Sequence, residues 1–238
     1  MNSTVNYFTF AGKSSREFKV YISGFGTYDA PARVYSSYEV PGRNGDLIVD
    51  EKRFENIDLK YPAFIYEELP INIEGLRNYL LSLTGYQRLE DTYHPDEYRL
   101  AVYKEGLEAD INQRHDFGEF DLIFNCKPQR FLKSGEKVMT LTSSGSVFNP
   151  TMFESKPLLR VYGSGILGIG SQSITISNAD EYTDIDCEMM DCFKGTANKN
   201  SNVTFTDYNF PVLKPGTNNF QLNSGITKVE ITPRWWRL

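Results

Sequence analysis

The chain is poor in the residues that most often carry chemistry. Its 238 residues include two histidines, three cysteines and two tryptophans. The cysteines, Cys126, Cys187 and Cys192, are odd in number and lack C-x-x-C spacing, so neither a paired disulfide framework nor a four-cysteine zinc site is indicated. Free thiols in a reducing compartment are the expectation. His94, in Tyr93-His94-Pro95-Asp96, and His115, in Arg114-His115-Asp116, fall in loop-like sequence away from any metal-ligand spacing. There is no G-x-S-x-G elbow and no Walker sequence. No catalytic residue, metal ligand or cofactor site is expected. Long apolar runs are missing too, and residues 1–7 have neither the basic nor the apolar stretch of a signal peptide, so neither classical secretion nor membrane insertion is expected. Nor is there a basic excess: the net charge is −6, which argues against wrapping nucleic acid through a basic surface.

What is present is aromatic and turn-rich. Fifteen tyrosines, 16 phenylalanines and 18 glycines favour strands joined by turns. The densest turn chemistry is Pro41-Gly42-Arg43-Asn44-Gly45-Asp46. Before it, Val34, Ser36, Tyr38 and Val40 alternate with Arg33, Tyr35, Ser37 and Glu39, as in a strand. After it, Leu47-Ile48-Val49 returns. Asn44-Gly45 is expected to supply a type I′ reversal, with Arg43 at the projecting tip of the hairpin.

In chain order, Tyr7–Phe10 and Phe18–Ile22 read as an opening hairpin, and Phe54–Tyr61 and Phe64–Tyr66 as two further strands. One helix is expected over 71–83, where Ile73, Leu76, Leu80 and Leu83 form a single apolar stripe ended by Thr84-Gly85. The strands Tyr98–Tyr103 and Asp116–Cys126 follow, the second closed by Lys127-Pro128. Residues 130–137 read as a linker between two domains. Beyond it, about seven short runs separated by turns indicate a β-sandwich whose last strand, Ile226–Trp235, is paired inside a sheet.

Several constellations resemble sites on paper. Gly163-Ser164-Gly165-Ile166-Leu167-Gly168 spells G-x-G-x-x-G, but turn and strand follow it where a dinucleotide site needs a helix N-terminus. Asp184 with Asp186, and Asp91 with Asp96, are carboxylate pairs whose separation sequence does not give; solvated faces are the simpler reading. Arg234-Trp235-Trp236-Arg237 reads either as a stacking platform or as aromatic closure of the sandwich.

The order of motifs adds a family. Phe8-x-Phe10-x-Gly12-x-x-Ser15, the Val40–Leu47 turn, Gly85-Tyr86-x-x-Leu89-x-Asp91 and Cys126-Lys127-Pro128-Gln129 succeed one another as in the distal tail protein (Dit) of siphovirus-type bacteriophages, which the chain resembles over nearly its whole length. Asn149-Pro150-Thr151, Pro157-Leu158-Leu159, Phe210-Pro211, Pro215-Gly216 and Val229-x-Ile231-x-Pro233-Arg234-Trp235 are similar to that family's galectin-like domain.

The resemblance implies a mostly β protein. An N-terminal β-sandwich-like ring domain with one flanking helix would span 1–133, and a galectin-like β-sandwich 134–238. It implies a structural virion protein, not an enzyme, at the distal end of the tail and made in the host cytoplasm. Its partners would be copies of itself in a homo-hexamer of one or two stacked rings, the tail tube protein, the tail-tip protein and baseplate or receptor-binding proteins. DNA would pass the central channel without specific binding, and no membrane is involved. A ring needs heterologous contacts, for which the Pro41–Asp46 turn is the expected assembly element; Cys126–Gln129 is a structural motif. The second half has no room for a large inserted arm, so direct host recognition is not expected. The competing readings are a carbohydrate-binding module for host cell walls and a cell-wall hydrolase.

Overall fold

The computed structural model describes residues 5–26, 29–107, 110–111 in backbone only, 117–223 and 225–238. His115 lies outside the described residues. The chain divides into two compact units, one running to Arg130 and including Leu238, the other spanning Phe131–Arg237.

The first unit contains β1 (Phe8–Phe10), β2 (Lys13–Ser14), β3 (Val20–Ile22), β4 (Arg33–Tyr38), β5 (Leu47–Phe54), β6 (Ile57–Ile65), α1 (Leu69–Ser82), β7 (Gln87–Asp91), β8 (Glu97–Val102), β9 (Asp110–Ile111) and β10 (Gly118–Cys126). Seven of these form one antiparallel path, β2-β1-β7-β8-β10-β6-β3, while β4 and β5 pair only with each other. β6 and β10 are its spine, paired from Ile57↔Cys126 to Ile65↔Gly118. Alternation sends Ile57, Leu59, Tyr61, Ala63 and Ile65 inward from one strand and Phe120, Leu122, Phe124 and Cys126 inward from the other. Where sequence predicts two runs, β6 is continuous through Pro62. The Pro62 carbonyl accepts from Ser23 N on the side where β3 ends, so its missing N–H also points that way and removes no rung to β10.

The opening hairpin is likewise rebuilt. β1 pairs with β2 and β7, and β3 pairs with β6; between the β1 and β3 segments there is one isolated bridge, Asn6↔Ile22. A 3₁₀ turn over Ser15–Phe18, capped reciprocally by Ser14 and Glu17, fills the seam. The buried Ser15 hydroxyl donates to the Val20 carbonyl at 2.8 Å and accepts from Phe8 N–H at 3.3 Å. One side chain thus replaces the rungs the two strands do not share.

α1 begins at Leu69, two residues before the expected start, because Pro70 in the first turn needs no N–H partner. Leu69, Leu76 and Leu80 are fully buried, with Ile73 and Leu83 packed partly against the same core. The helix is fastened to β1 by Tyr79, whose hydroxyl donates to the Phe10 carbonyl at 2.7 Å.

The expected linker is itself ordered: β11 (Arg130–Leu132) is followed by a 3₁₀ turn at Lys133–Glu136. The second unit continues with β12 (Met139–Leu141), β13 (Gly145–Asn149), β14 (Leu158–Gly163), β15 (Gly165–Ile169), β16 (Gln172–Ile176), β17 (Tyr182–Asp186), β18 (Asp191–Lys194), β19 (Ala197–Asn198), β20 (Val203–Phe205), β21 (Gly216–Leu222), β22 (Ile226–Thr232) and β23 (Trp236–Arg237). Two antiparallel sheets, β12-β22-β14-β17-β18-β19 and β13-β21-β15-β16-β20, form a sandwich. Leu159, Val161, Ile185, Val229 and Ile231 from the first meet Leu167, Ile174 and Phe220 from the second in one core. β22 lies inside its sheet, as its alternation predicts.

Candidate functional site

The β4–β5 ribbon is the part of the first unit that sequence singled out and that the unit's own core leaves uncovered. Its register pairs Ser36 with Val49, Ser37 with Ile48 and Tyr38 with Leu47, with an irregularity between Arg33 and Tyr35. Directly opposed residues share a face, so Tyr38, Leu47 and Val49 make one apolar strip, which Val40 continues. All four are exposed, Tyr38 at 56% and Leu47 at 49%. The opposite face carries Tyr35 and Ile48, also exposed. A two-stranded ribbon alone is marginal in water. Here it is held at its base: the Arg33 guanidinium takes the Asp50 carboxylate, Lys52 N–H donates to the same carboxylate at 2.8 Å, and Ser36 bonds Glu51. The Arg33 contact holds the half-buried Asp50 carboxyl below its usual range.

The turn differs from the expected type I′. Gly42 has φ +79° and Arg43 N–H donates to the Val40 carbonyl at 3.1 Å, the signature of a type II turn with Pro41 and Gly42 at its centre. Asn44 keeps negative φ and Gly45 has φ +80°, so Asn44-Gly45 is not the I′ pair. The reason is Pro41, whose fixed φ sets the first central position of a type II turn before the chain reaches Asn44. Residues 39–46, Arg43 among them, are all exposed.

Cys126–Gln129 has the opposite environment. Cys126 ends β10 between Ile57 and Ala101, and Pro128 is buried. Lys127 N–H donates to the Leu100 carbonyl at 2.8 Å, and its ammonium lies 5.0 Å from the Tyr86 ring centre. Burial pushes the Cys126 and Cys192 thiols up to about 12 and Cys187 up as well, so none is poised as a thiolate.

The other constellations resolve into structural contacts. Asp184 is gripped by the Arg160 guanidinium at 2.7 and 2.9 Å, and Asp186 by Arg234 at 2.7 and 2.8 Å. Burial alone would raise the Asp186 carboxyl, but Arg234 and the N–H groups of Met189 and Glu188 outweigh it and hold it low. Asp91 accepts from the Tyr61 hydroxyl at 2.6 Å and from His94 N–H at 2.8 Å, while Asp96 is exposed. Around Asp91, His94, Glu97, Arg99 and Arg130 lies a cavity of about 10 Å³, the size of one water and not of a substrate. Trp235 is buried, and Trp236 stacks on Phe153 at 4.4 Å and donates to the Glu154 carbonyl, so the tail closes the sandwich. In the G-x-G-x-x-G stretch, a Cβ on Gly163 would run into the Gly225 carbonyl and one on Gly225 into that of Ser164. Those glycines permit a close backbone crossing between β14 and the start of β22.

No family model and no curated protein matches the chain. Its mostly β architecture is similar to that of a solved phage hub protein. The crystal structure of Dit from phage SPP1, a paradigm of the hub adsorption apparatus in phages that infect Gram-positive bacteria, superposes with a TM-score of 0.72 at 15% identity, over 99% of this chain and 100% of that one. The phage p2 baseplate in its activated conformation also aligns, over 98% of each chain at 10% identity, with a TM-score of 0.47. The fold is Dit-like.

Proposed function

We propose that this chain is the subunit of a distal tail hub: a hexameric ring at the end of a long, non-contractile phage tail, joining the tail tube protein to the tail-tip protein and to baseplate or receptor-binding proteins. The observation that carries this reading is the likeness to SPP1 Dit, which runs the full length of both chains and so includes both units. The first unit builds the ring and surrounds the channel. The second is a galectin-like sandwich that projects outward, and the domain division falls near residue 133.

The β4–β5 ribbon supports the ring. Its apolar strip is bare in the single chain, and a closed ring supplies a cover by packing this patch against a different patch on the next copy. Pro41–Asp46 sits in or beside that junction. The net charge of −6 suits a conduit that must let DNA go, since phosphate is not held by a surface with an acidic excess. The protein is structural and resides in the virion. Light scattering after size exclusion, with negative-stain images of the same peak, tests the proposal: particles with a central hole and the mass of a hexamer are expected, and an unassembled chain that binds cell-wall glycan would instead favour the carbohydrate module.

A further inference from the structure

We infer that Asn44 is a site of spontaneous deamidation, a self-modification built into the tip of the β4–β5 ribbon. Among the asparagines of the chain, Asn44 is the one followed by glycine. In the reaction the backbone nitrogen of Gly45 attacks Cγ of Asn44 and gives up its proton. The bond from Cγ to Nδ2 breaks, ammonia leaves, and a cyclic succinimide forms. Water then opens either carbonyl of the ring, giving aspartate or isoaspartate. Nothing but water is consumed, and no oxidant or metal takes part.

Three features of the tip favour ring closure. Gly45 offers an unshielded nitrogen: even an added Cβ there would meet nothing within 4 Å. Asn44 is exposed, and its side chain makes no hydrogen bond to any described residue, so Cγ is free to swing toward that nitrogen. The surrounding residues 39–46 belong to no strand, so the backbone distortion that closure demands breaks no ladder. Asn200, followed by Ser201, is the instructive contrast. Its Nδ2 donates to Asp191 at 2.7 Å and its Oδ1 accepts from Cys192 N–H at 2.8 Å, which holds both ends of the amide away from its own backbone.

The product alters the tip in two ways. A neutral amide becomes a carboxylate beside Asp46, next to Arg43, and the isoaspartate form adds a backbone carbon to a turn whose geometry is set by Pro41 and Gly42. If the tip packs in a subunit junction, a consequence that rests on the hub reading, aged subunits join rings less completely than fresh ones.

The test ages the purified full chain at mildly alkaline pH and follows the tryptic peptide 44–52, released by cleavage after Arg43 and Lys52, by mass spectrometry. The expected result is exchange of the amide for a carboxyl, with separate aspartate and isoaspartate forms. It should proceed several-fold faster than at Asn200 and accelerate as pH rises. Asn44→Gln, which would have to close a larger ring, should stop it. A peptide 44–52 that stays amidated, or converts no faster than Asn200, overturns the proposal. Fresh and aged protein are then compared as rings by light scattering. Loss of ring on ageing, absent when Asn44→Gln is aged against its own fresh sample, supports the coupling to assembly. Full conversion with undiminished rings removes the tip from the junction while the modification stands. If even fresh protein forms no ring, the hub reading fails alone, because the peptide measurement does not depend on it.

Discussion

β6–β10 and β4–β5 are both antiparallel pairs, yet their fates in the folded chain are opposite. In β6–β10 the alternating set Ile57, Leu59, Tyr61, Phe120, Leu122 and Phe124 is buried, with no residue among them above 8% exposure. In β4–β5 the equivalent strip of Tyr38, Val40, Leu47 and Val49 faces water. An apolar strip on a strand pair marks a surface that can be covered, but does not say by what. For β6–β10 the cover is helix α1 and the rest of the same core; for the ribbon the described residues supply none, which leaves its strip open to a second molecule.

The contrast can be broken from its covered side first. Phe124 is fully buried and its ring meets Phe8, Phe10, Tyr61 and Tyr103 at centroid distances of 5.0–5.9 Å. Phe124→Ala should cost about 3–5 kcal/mol by urea unfolding, from lost transfer energy and a cavity its aromatic neighbours cannot fill. In the second unit, Arg234→Met should cost about 2–3 kcal/mol, below the full penalty of orphaning a buried charge because the guanidinium side is 28% exposed. The same variant carries a signed pH dependence. With Arg234 present, the Asp186 carboxyl is held below its ordinary 3.8, so its contribution is complete above that value and is lost as pH falls through the depressed folded value. Without Arg234 burial is opposed only by the Met189 and Glu188 N–H groups, the depression shrinks, and the stability lost through this carboxyl as pH falls should be smaller than in the wild type in thermal melts.

Ser15→Ala should come next, at about 1–2 kcal/mol in the same unfolding measurement, since it leaves the Phe8 N–H and the Val20 carbonyl without their shared partner. Ser15→Thr, which keeps the hydroxyl, should recover part of the loss. The bare side should respond least. Tyr38→Ser combined with Leu47→Ser removes two directly opposed, exposed apolar side chains and should change the stability of the isolated chain by about 0.5 kcal/mol or less.

Much of this was readable before the structure. The strand periodicity of residues 118–126 and 226–232 and the stripe of α1 follow from side-chain spacing; the tail aromatics read either as a stacking platform or as closure of the sandwich, and the structure buries Trp235 and half-buries Trp236. Other elements were not, each for a local reason. Pro62 reads as a strand end because proline lacks a donor, yet it sits where one neighbouring strand stops and no rung is lost. The turn reads as I′ because Asn-Gly is the strongest short-range hairpin signal, but Pro41 reverses the chain first. Residues 130–137 read as a linker because they are polar, although β11 and a 3₁₀ turn occupy them. The seam at Ser15 does have a sequence signal: Ser14 followed three residues later by Glu17 is a capping box, which argues for a tight helical turn and against a plain hairpin loop. Gly165–Ile169 did not look like a strand because glycine lowers strand propensity, while the need for glycine at the Gly163 and Gly225 crossing appears only when both segments are seen together. What would cover the ribbon's strip is a property of an assembly, which no single-chain pattern encodes.

Coverage of the ribbon's apolar strip by a neighbouring copy is what ties the fold to the proposed hub. The most direct measurement is the solution mass, by light scattering at matched concentration, of the wild-type chain beside the Tyr38→Ser, Leu47→Ser variant. The account predicts a hexamer for the wild type and a folded monomer with an unchanged melt for the variant. Equal masses for the two proteins, whether both assembled or both monomeric, would contradict it.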